Sequence, residues 1–284
     1  MSNAPGTLYI VATPIGNLGD WSQRAQEILV KVSLIAVEDT RHSSKLLSHF
    51  GIQTRMFAYH EHNEKIASEK LLARLHSGES IALISDAGTP LISDPGYPLV
   101  SQAHAEGIRV SPVAGPSAVV AALSASGLPT DRFVFEGFLP NKSQARRARL
   151  EILKTDTRTL VFYESPHRVV DTLADISSVF GAERVAVIAR ELSKTFETIK
   201  QASLQALVEW VAEDQNQSRG EIVLMVHGAE ASGPDAAEVE RVLTILLKSL
   251  PVKEAAALAA EIMGGKKNAM YEQALYIIGK KSNL

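Results

Sequence analysis

Residues 83–98 read LISDAGTPLISDPGYP, and they say nearly the same thing twice: Ser85-Asp86-x-Gly88, then Ser93-Asp94-x-Gly96. The stretch leaves an apolar run, Ile81-Ala82-Leu83-Ile84, short enough for a buried strand and bounded by turn residues. Ser, Asp, Gly and Pro favour turns, each for its own backbone reason. The doubled motif is therefore either a pair of structural corners or a ligand loop carried by a sheet.

Working outward, short apolar runs alternate with longer segments of helical period, the pattern of an α/β chain built around a mostly parallel sheet. Strands are expected over residues 8–12, 34–37, 81–84 and 109–113, and helices over 21–32, 43–50, 66–76 and 99–106. A helix from Ser117 is stopped by Gly127 and Pro129. Further strands are expected over 133–138, 160–163, 185–189 and 222–226, with helices over 169–180 and 204–213. The boundary between two α/β domains is placed near 115–129, giving domains 1–117 and 118–230. Residues 228–238, GAEASGPDAAE, read as a linker. Only helical pattern follows, over 239–250, 252–263 and 269–278, so 231–284 is expected to be linker and a small α-helical tail.

Composition narrows the function. The chain has 284 residues, 45% hydrophobic and 21% charged, enough for two globular domains. It contains no cysteine, which removes disulfides, thiolate metal sites and cysteine nucleophiles. No apolar stretch approaches the roughly 18 residues of a membrane span, and the start lacks a basic region before its apolar run; a cytoplasmic protein without a membrane partner is expected. The net charge of -3 means that any nucleic-acid contact must be made by local basic patches.

Three strand-end loops would open at one sheet edge, where open α/β folds bind ligands. The first, VATPIGNLGD at 11–20, lacks both the dinucleotide glycine fingerprint and the Gly-Lys-Ser/Thr of a P-loop. The second, AVEDTRH at 36–42, sets Glu38, Asp39, Arg41 and His42 directly after a strand. Asp39 suits a helix cap. Arg41 and His42 at a helix start oppose the macrodipole, which favours an anion-facing or acid/base role for the cluster. His60 and His62 have a metal-like spacing but no further cluster to complete a shell, so they read as loop and no metal is expected. NKSQARRAR at 141–149 carries Lys142, Arg146, Arg147 and Arg149 without an acid, and Lys266 and Lys267 form a second basic patch; both are candidates for phosphate contact.

Five stretches taken together, LYIVATPIGNLGD, AVEDTRHSSKLL, SDAGTPLISDPGY, GPSAVVAALSASGLPTDRFVFEGFLP and TLVFYESPHR, resemble in order the signature motifs of the ribosomal RNA small-subunit methyltransferase I group of the tetrapyrrole methylase superfamily. The resemblance runs from about Leu8 to His227 and continues into LPVKEAAALAAEIMGGKKNAMY. It implies two α/β domains with S-adenosylmethionine in the cleft between them, a homodimer, and methyl transfer to the ribose 2′-hydroxyl of a decoding-centre cytidine in 16S rRNA of the small ribosomal subunit. Carried over by residue, it implies cofactor contacts at Pro14, Asp86, Ala87, Gly88, Thr89, Ser117, Ala118, Tyr163 and Glu164, with Ser85 standing where porphyrin methylases commonly have Gly. On this reading the first Ser-Asp turn holds the cofactor and the second is packing that aims the chain into a helix at Tyr97. Glu38, Asp39 and His42 are the candidates for proton removal or ribose orientation, and Arg41 for a phosphate. Two other readings stay open: methylation of a small tetrapyrrole or a protein side chain on the same scaffold, and a non-catalytic cofactor-binding module.

Overall fold

The computed structural model describes residues 4–230 and 236–282. From the amino end the chain alternates β1 (Thr7–Val11), α1 (Gln23–Lys31), β2 (Leu34–Val37), α2 (Thr40–His49), β3 (Met56–Ala58), α3 (Glu64–His76), β4 (Ile81–Ile84), α4 (Tyr97–Ala105) and β5 (Arg109–Val113). The five strands form one parallel sheet in the order β3-β2-β4-β1-β5. Every residue of β2 and β4 is buried, as strands covered by helices on both faces must be. Strand alternation sorts the side chains. Leu34, Ala36, Ile81 and Leu83 meet α3 and α4 on one face; Ile35, Val37, Ala82 and Ile84 meet α1 and α2 on the other. Pro112 is tolerated in β5 because that strand is an edge.

The helix after β1 thus lies on one face and the helix after β4, its neighbour, on the opposite one. Their loops part at the carboxyl edge and leave a crevice there. Helix starts differ from the sequence expectation for local reasons. Asp39 caps α2, which begins at Thr40. Trp21 turns under β1 instead of opening α1: its indole N–H donates to the Ala12 carbonyl at 3.0 Å, and its ring meets Phe50 edge-on at 4.8 Å. Ser22 then caps α1, accepting from Ala25 N–H at 3.1 Å.

The second half contains α5 (Ala118–Ser126), β6 (Phe133–Phe138), α6 (Ser143–Leu153), β7 (Thr159–Glu164), α7 (Val169–Phe180), β8 (Val185–Arg190), β9 (Thr198–Ser203), α8 (Leu204–Glu213) and β10 (Ile222–Val226). Its sheet runs β6-β7-β10-β8-β9. Here the expectation of a mostly parallel sheet is corrected, because only β6 and β7 pair in parallel. The β8–β9 connection is too short for a crossover helix, so that pair is antiparallel. Helices α6, α7 and α8 cover one face. On the other, Val119, Ala122 and Leu123 of α5 pack with Val161, Val187, Val223 and Met225, and Ile15 from the loop after β1 joins them.

Residues up to Gly228 form one tightly connected unit and those from Ala229 a second. The second unit holds α9 (Ala236–Leu246), α10 (Val252–Met263) and α11 (Lys267–Ser282) around its own core of Val239, Leu243, Ala256, Ala259, Met270, Ala274 and Ile277. Of the expected linker 228–238, residues 231–235 lie outside the described residues, and α9 already begins at Ala236.

Candidate functional site

Three strand-end loops of the first sheet are stitched together at the crevice. Thr13 and Gly88 exchange two backbone hydrogen bonds, at 2.8 and 3.2 Å. The Thr13 hydroxyl donates to the Ser85 carbonyl at 3.2 Å, and the Thr89 hydroxyl donates to the Pro116 carbonyl at 2.9 Å. Ser85 is buried, and its hydroxyl donates to the Gly88 carbonyl at 3.1 Å, so the serine braces its own turn. Gly88 has φ +82°, a left-handed conformation that favours glycine, and a Cβ there would stand 3.3 Å from Ile15 Cγ2. The second turn is anchored from below. Glu64 accepts from Gly96 N–H at 2.7 Å and from the buried Tyr59 hydroxyl at 3.2 Å.

These loops and the second sheet enclose a cavity of about 200 Å³. Ala87, Gly88, Thr89, Ser117, Ala118, Tyr163 and Glu164, to which the resemblance assigns cofactor contacts, all line it. Tyr163 belongs to an aromatic wall, edge-on to Phe135 at 4.8 Å and to Phe138 at 5.6 Å. Pro14 and Asp86, the other two residues to which the resemblance assigns the cofactor, line an adjoining cavity. The Glu164 side chain is fully buried and accepts from Ser165 N–H and the Thr172 hydroxyl, at 2.7 and 2.6 Å, so its carboxylate also secures the start of α7. The second Ser-Asp turn is not packing alone, because Ser93 and Asp94 line the cavity. Ser93 also adopts a left-handed φ of 68°, and its Oγ would lie 3.1 Å from a Cβ on Gly137, where β6 bulges. No sequence signal chooses between the two turns; what chooses is the approach of Ser93 to the β6 bulge at Gly137.

Asp94 dominates the electrostatics of this cavity. Burial, the nearby charge of Glu38 and that of Asp86 push its carboxyl up to about 7, against the pull of the Ser85 hydroxyl. Burial and Asp94 together push the Tyr163 phenol up to about 12. Glu38 is itself raised, first by burial and then by Asp86, but it lines none of the described cavities and acts through its charge on Asp94. Asp39, expected in acid/base chemistry, is a cap: it accepts from Arg41 N–H at 2.8 Å and pairs with the Arg41 guanidinium at 3.3 Å, and that bonding holds its carboxyl below the usual range. The same pair offsets the unfavourable placement of Arg41 at a helix start, and leaves a side chain 90% exposed. His42 lines the adjoining cavity.

The expected RNA contacts divide. Lys142, Arg147, Lys266 and Lys267 are exposed. Arg146 is corrected: it is 3% exposed, and its Nε donates to Asp175 at 2.7 Å. Arg149 pairs with Glu136 at 2.7 Å. The acids missing from the local sequence therefore arrive from β6 and α7. The loop after β8 carries no sequence signal of a site, yet it closes one. Leu192 lines the cavity, the Ser193 hydroxyl donates to Asp20 of the loop after β1, and Lys194 bridges Glu191 and Glu221 at 2.8 and 3.0 Å.

The family described as Tetrapyrrole (Corrin/Porphyrin) Methylases matches residues 7–208, and one described as RsmI C-terminal HTH domain matches 233–277. A ribosomal RNA small subunit methyltransferase I from Pseudomonas aeruginosa is 59% identical over 97% of this chain and 99% of its own. The one from Escherichia coli O157:H7 is 57% identical over 96% of each. Among solved structures, diphthine synthase aligns with a TM-score of 0.58 at 16% identity, covering 78% of this chain and 90% of that one. A Thermus thermophilus uroporphyrin-III C-methyltransferase complexed with S-adenosyl homocysteine aligns with a TM-score of 0.53 at 18% identity, covering 78% and 97%. Below 25% identity these two speak for the fold; the family match and the near-full-length relatives go further, and by them the chain belongs to the tetrapyrrole methylases and, within them, to the ribosomal RNA small subunit methyltransferase I group.

Proposed function

We propose that this protein is an S-adenosylmethionine-dependent methyltransferase that methylates the ribose 2′-hydroxyl of a decoding-centre cytidine in 16S rRNA. The observation that carries the donor is the cavity between the two sheets, where the acids Asp94, Glu164 and Glu221 stand among apolar residues. Such a wall fits a cationic ligand with an aromatic base, since the acids supply the opposite charge and Phe138, Tyr163, Ile222 and Val223 supply apolar surface. The substrate class follows the relatives' name at 59 and 57% identity, whereas the diphthine and uroporphyrin enzymes stand at 16 and 18%. The tetrapyrrole and binding-module readings give way accordingly.

When bound, S-adenosylmethionine supplies an electrophilic methyl group on a sulfonium. The acceptor oxygen gains that methyl and gives up its proton, so the chain has to align the acceptor, exclude water and let the proton leave. Alignment can contribute about 7–11 kcal/mol in the most favourable cases, and a base about a hundred- to ten-thousandfold. Enclosure by two sheets is thus the larger contribution. Of the three proton acceptors expected from sequence, His42 is the one on a cavity wall. Lys142, Arg147, Lys266 and Lys267 remain as phosphate contacts, on a homodimeric cytoplasmic enzyme acting on the small ribosomal subunit.

The test supplies methyl-labelled S-adenosylmethionine with free 16S rRNA, with small subunits lacking the modification, or with total tRNA. Label recovered as 2′-O-methylcytidine from 16S rRNA is the expected result. Label in tRNA, or in no RNA, overturns the proposal.

A further inference from the structure

Two openings adjoin the first cavity, and they differ in charge. One, of about 420 Å³, shares Ile15, Ala87 and Glu221 with it; the other, of about 440 Å³, shares Ile15, Ser117 and Leu192. Around the 440 Å³ opening the charged residues are Asp20 and Glu197, on a wall otherwise rich in Ala121, Ala125, Leu192 and Ile199. Around the 420 Å³ opening stand His42, Lys45, His49 and Lys194, faced by Asp86 and Glu221. A nucleic-acid strand carries a negative charge at every phosphate, so like charge turns it from the acidic mouth and leaves the other, where two lysines offset the two carboxylates and two imidazoles add donors.

The donors of this second mouth are ordered. His42, Lys45 and His49 fall at i, i+3 and i+7 of α2, which puts them on one stripe of the helix, and all three are exposed. Among the described residues no ion pair engages them. Lys194 stands across from the stripe. Its stem runs over Gly16, where a Cβ would come within 2.4 Å of Lys194 Cγ, so glycine is what leaves the stem its path. Lys194 is held there by Glu191 and Glu221 with its charge balanced, and the α2 stripe supplies the donors still able to take a phosphate.

The geometry points to the 420 Å³ cavity as the seat of the acceptor nucleotide, with the His42, Lys45 and His49 stripe of α2 gripping the phosphates that flank it. This rests on the first cavity being the seat of S-adenosylmethionine. Ile15, Ala87 and Glu221, common to both cavities, then form the neck through which the ribose hydroxyl reaches the methyl group.

The test compares the wild type, a Lys45→Ala/His49→Ala variant, Lys45→Arg and Glu197→Gln. Calorimetry reads S-adenosylmethionine binding, and labelled methyl transfer to unmodified small subunits is followed across a salt series. In the double variant, cofactor affinity stays within about twofold, while the half-saturating subunit concentration rises about tenfold, as expected when the charge-assisted hydrogen bond of Lys45 and a second donor are removed. Its log-log salt slope flattens by about 0.7 for each phosphate no longer held. Lys45→Arg keeps wild-type behaviour, and so does Glu197→Gln. The inference is overturned if the double variant keeps the wild-type half-saturation and slope, if Glu197→Gln shifts them instead, or if the double variant loses cofactor binding. Failure of the wild type to bind S-adenosylmethionine brings down the reading of the first cavity, and this one with it.

Discussion

Asp94 is the residue that the doubled motif conceals. Its carboxyl is raised to about 7, so the folded chain binds that proton more tightly than the unfolded chain does. Unfolding free energy therefore falls as pH climbs from the ordinary aspartate range to about 7, and is unaffected by this group above it. Asp94→Asn should remove that fall. In thermal melts without ligand, the variant is expected to exceed the wild type at about pH 8 and to match it at about pH 4, where the wild-type carboxyl is protonated too. Ionised Asp94 faces a cavity suited to a cation, so wild-type affinity for S-adenosylmethionine should rise as pH passes about 7 and the variant's should stay low and flat. A variant that keeps the wild-type pH dependence by calorimetry would remove Asp94 from the binding wall. The sequence supplied Ser-Asp-x-Gly in duplicate but no information about which copy faces the second sheet. That depends on Ser93 and on the β6 bulge at Gly137, which lie far apart along the chain and meet only in the fold.

At the scale of elements, α6 shows a pattern that is present in the sequence but hidden behind its charge. Arg146, Leu150 and Leu153 are spaced at i, i+4 and i+7, the stripe of an inward face, and all three are buried. Arg146 pins α6 to α7 through Asp175, which also accepts from the Ser143 hydroxyl at 2.9 Å. Removing one partner of a buried pair leaves the other charge uncompensated, at a cost of about 3–5 kcal/mol. Arg146→Ala should lower the urea midpoint accordingly, while Arg147→Ala, half exposed and 3.8 Å from Asp175, should change stability by about 0.5 kcal/mol or less. Equal midpoints for the two variants would refute this division. The central strands β2 and β4 were legible because four-residue apolar runs between turn signals admit little else. Two of the four edge strands were not: β9, TIKQAS, has too few apolar residues to register, and β3 is three residues long.

For the whole molecule, the signature motifs gave the family and the alternating pattern gave its class, but neither could assign strand order or make the second sheet mixed. The cores are separate: the helical unit of α9, α10 and α11 has its own apolar cluster, which shares no residue with those of the two sheets. A chain ending at Glu230 is thus expected to bind S-adenosylmethionine within about twofold of the full protein, and to lose affinity for the small subunit together with Lys266 and Lys267. Calorimetry and subunit binding across a salt series read the two effects apart; loss of cofactor binding on truncation would contradict the separation. The indole of Trp21, hydrogen-bonded beneath the loop that carries Pro14, Ile15 and Gly16, has a further use. The chain has two tryptophans, and the other, Trp210, sits on α8 with Lys200 over its ring at 5.7 Å. Exchanging Trp210 for Phe leaves a single indole emitter at the root of the loop whose Ile15 lines both chambers, so the protein carries its own fluorescent gauge of what enters them.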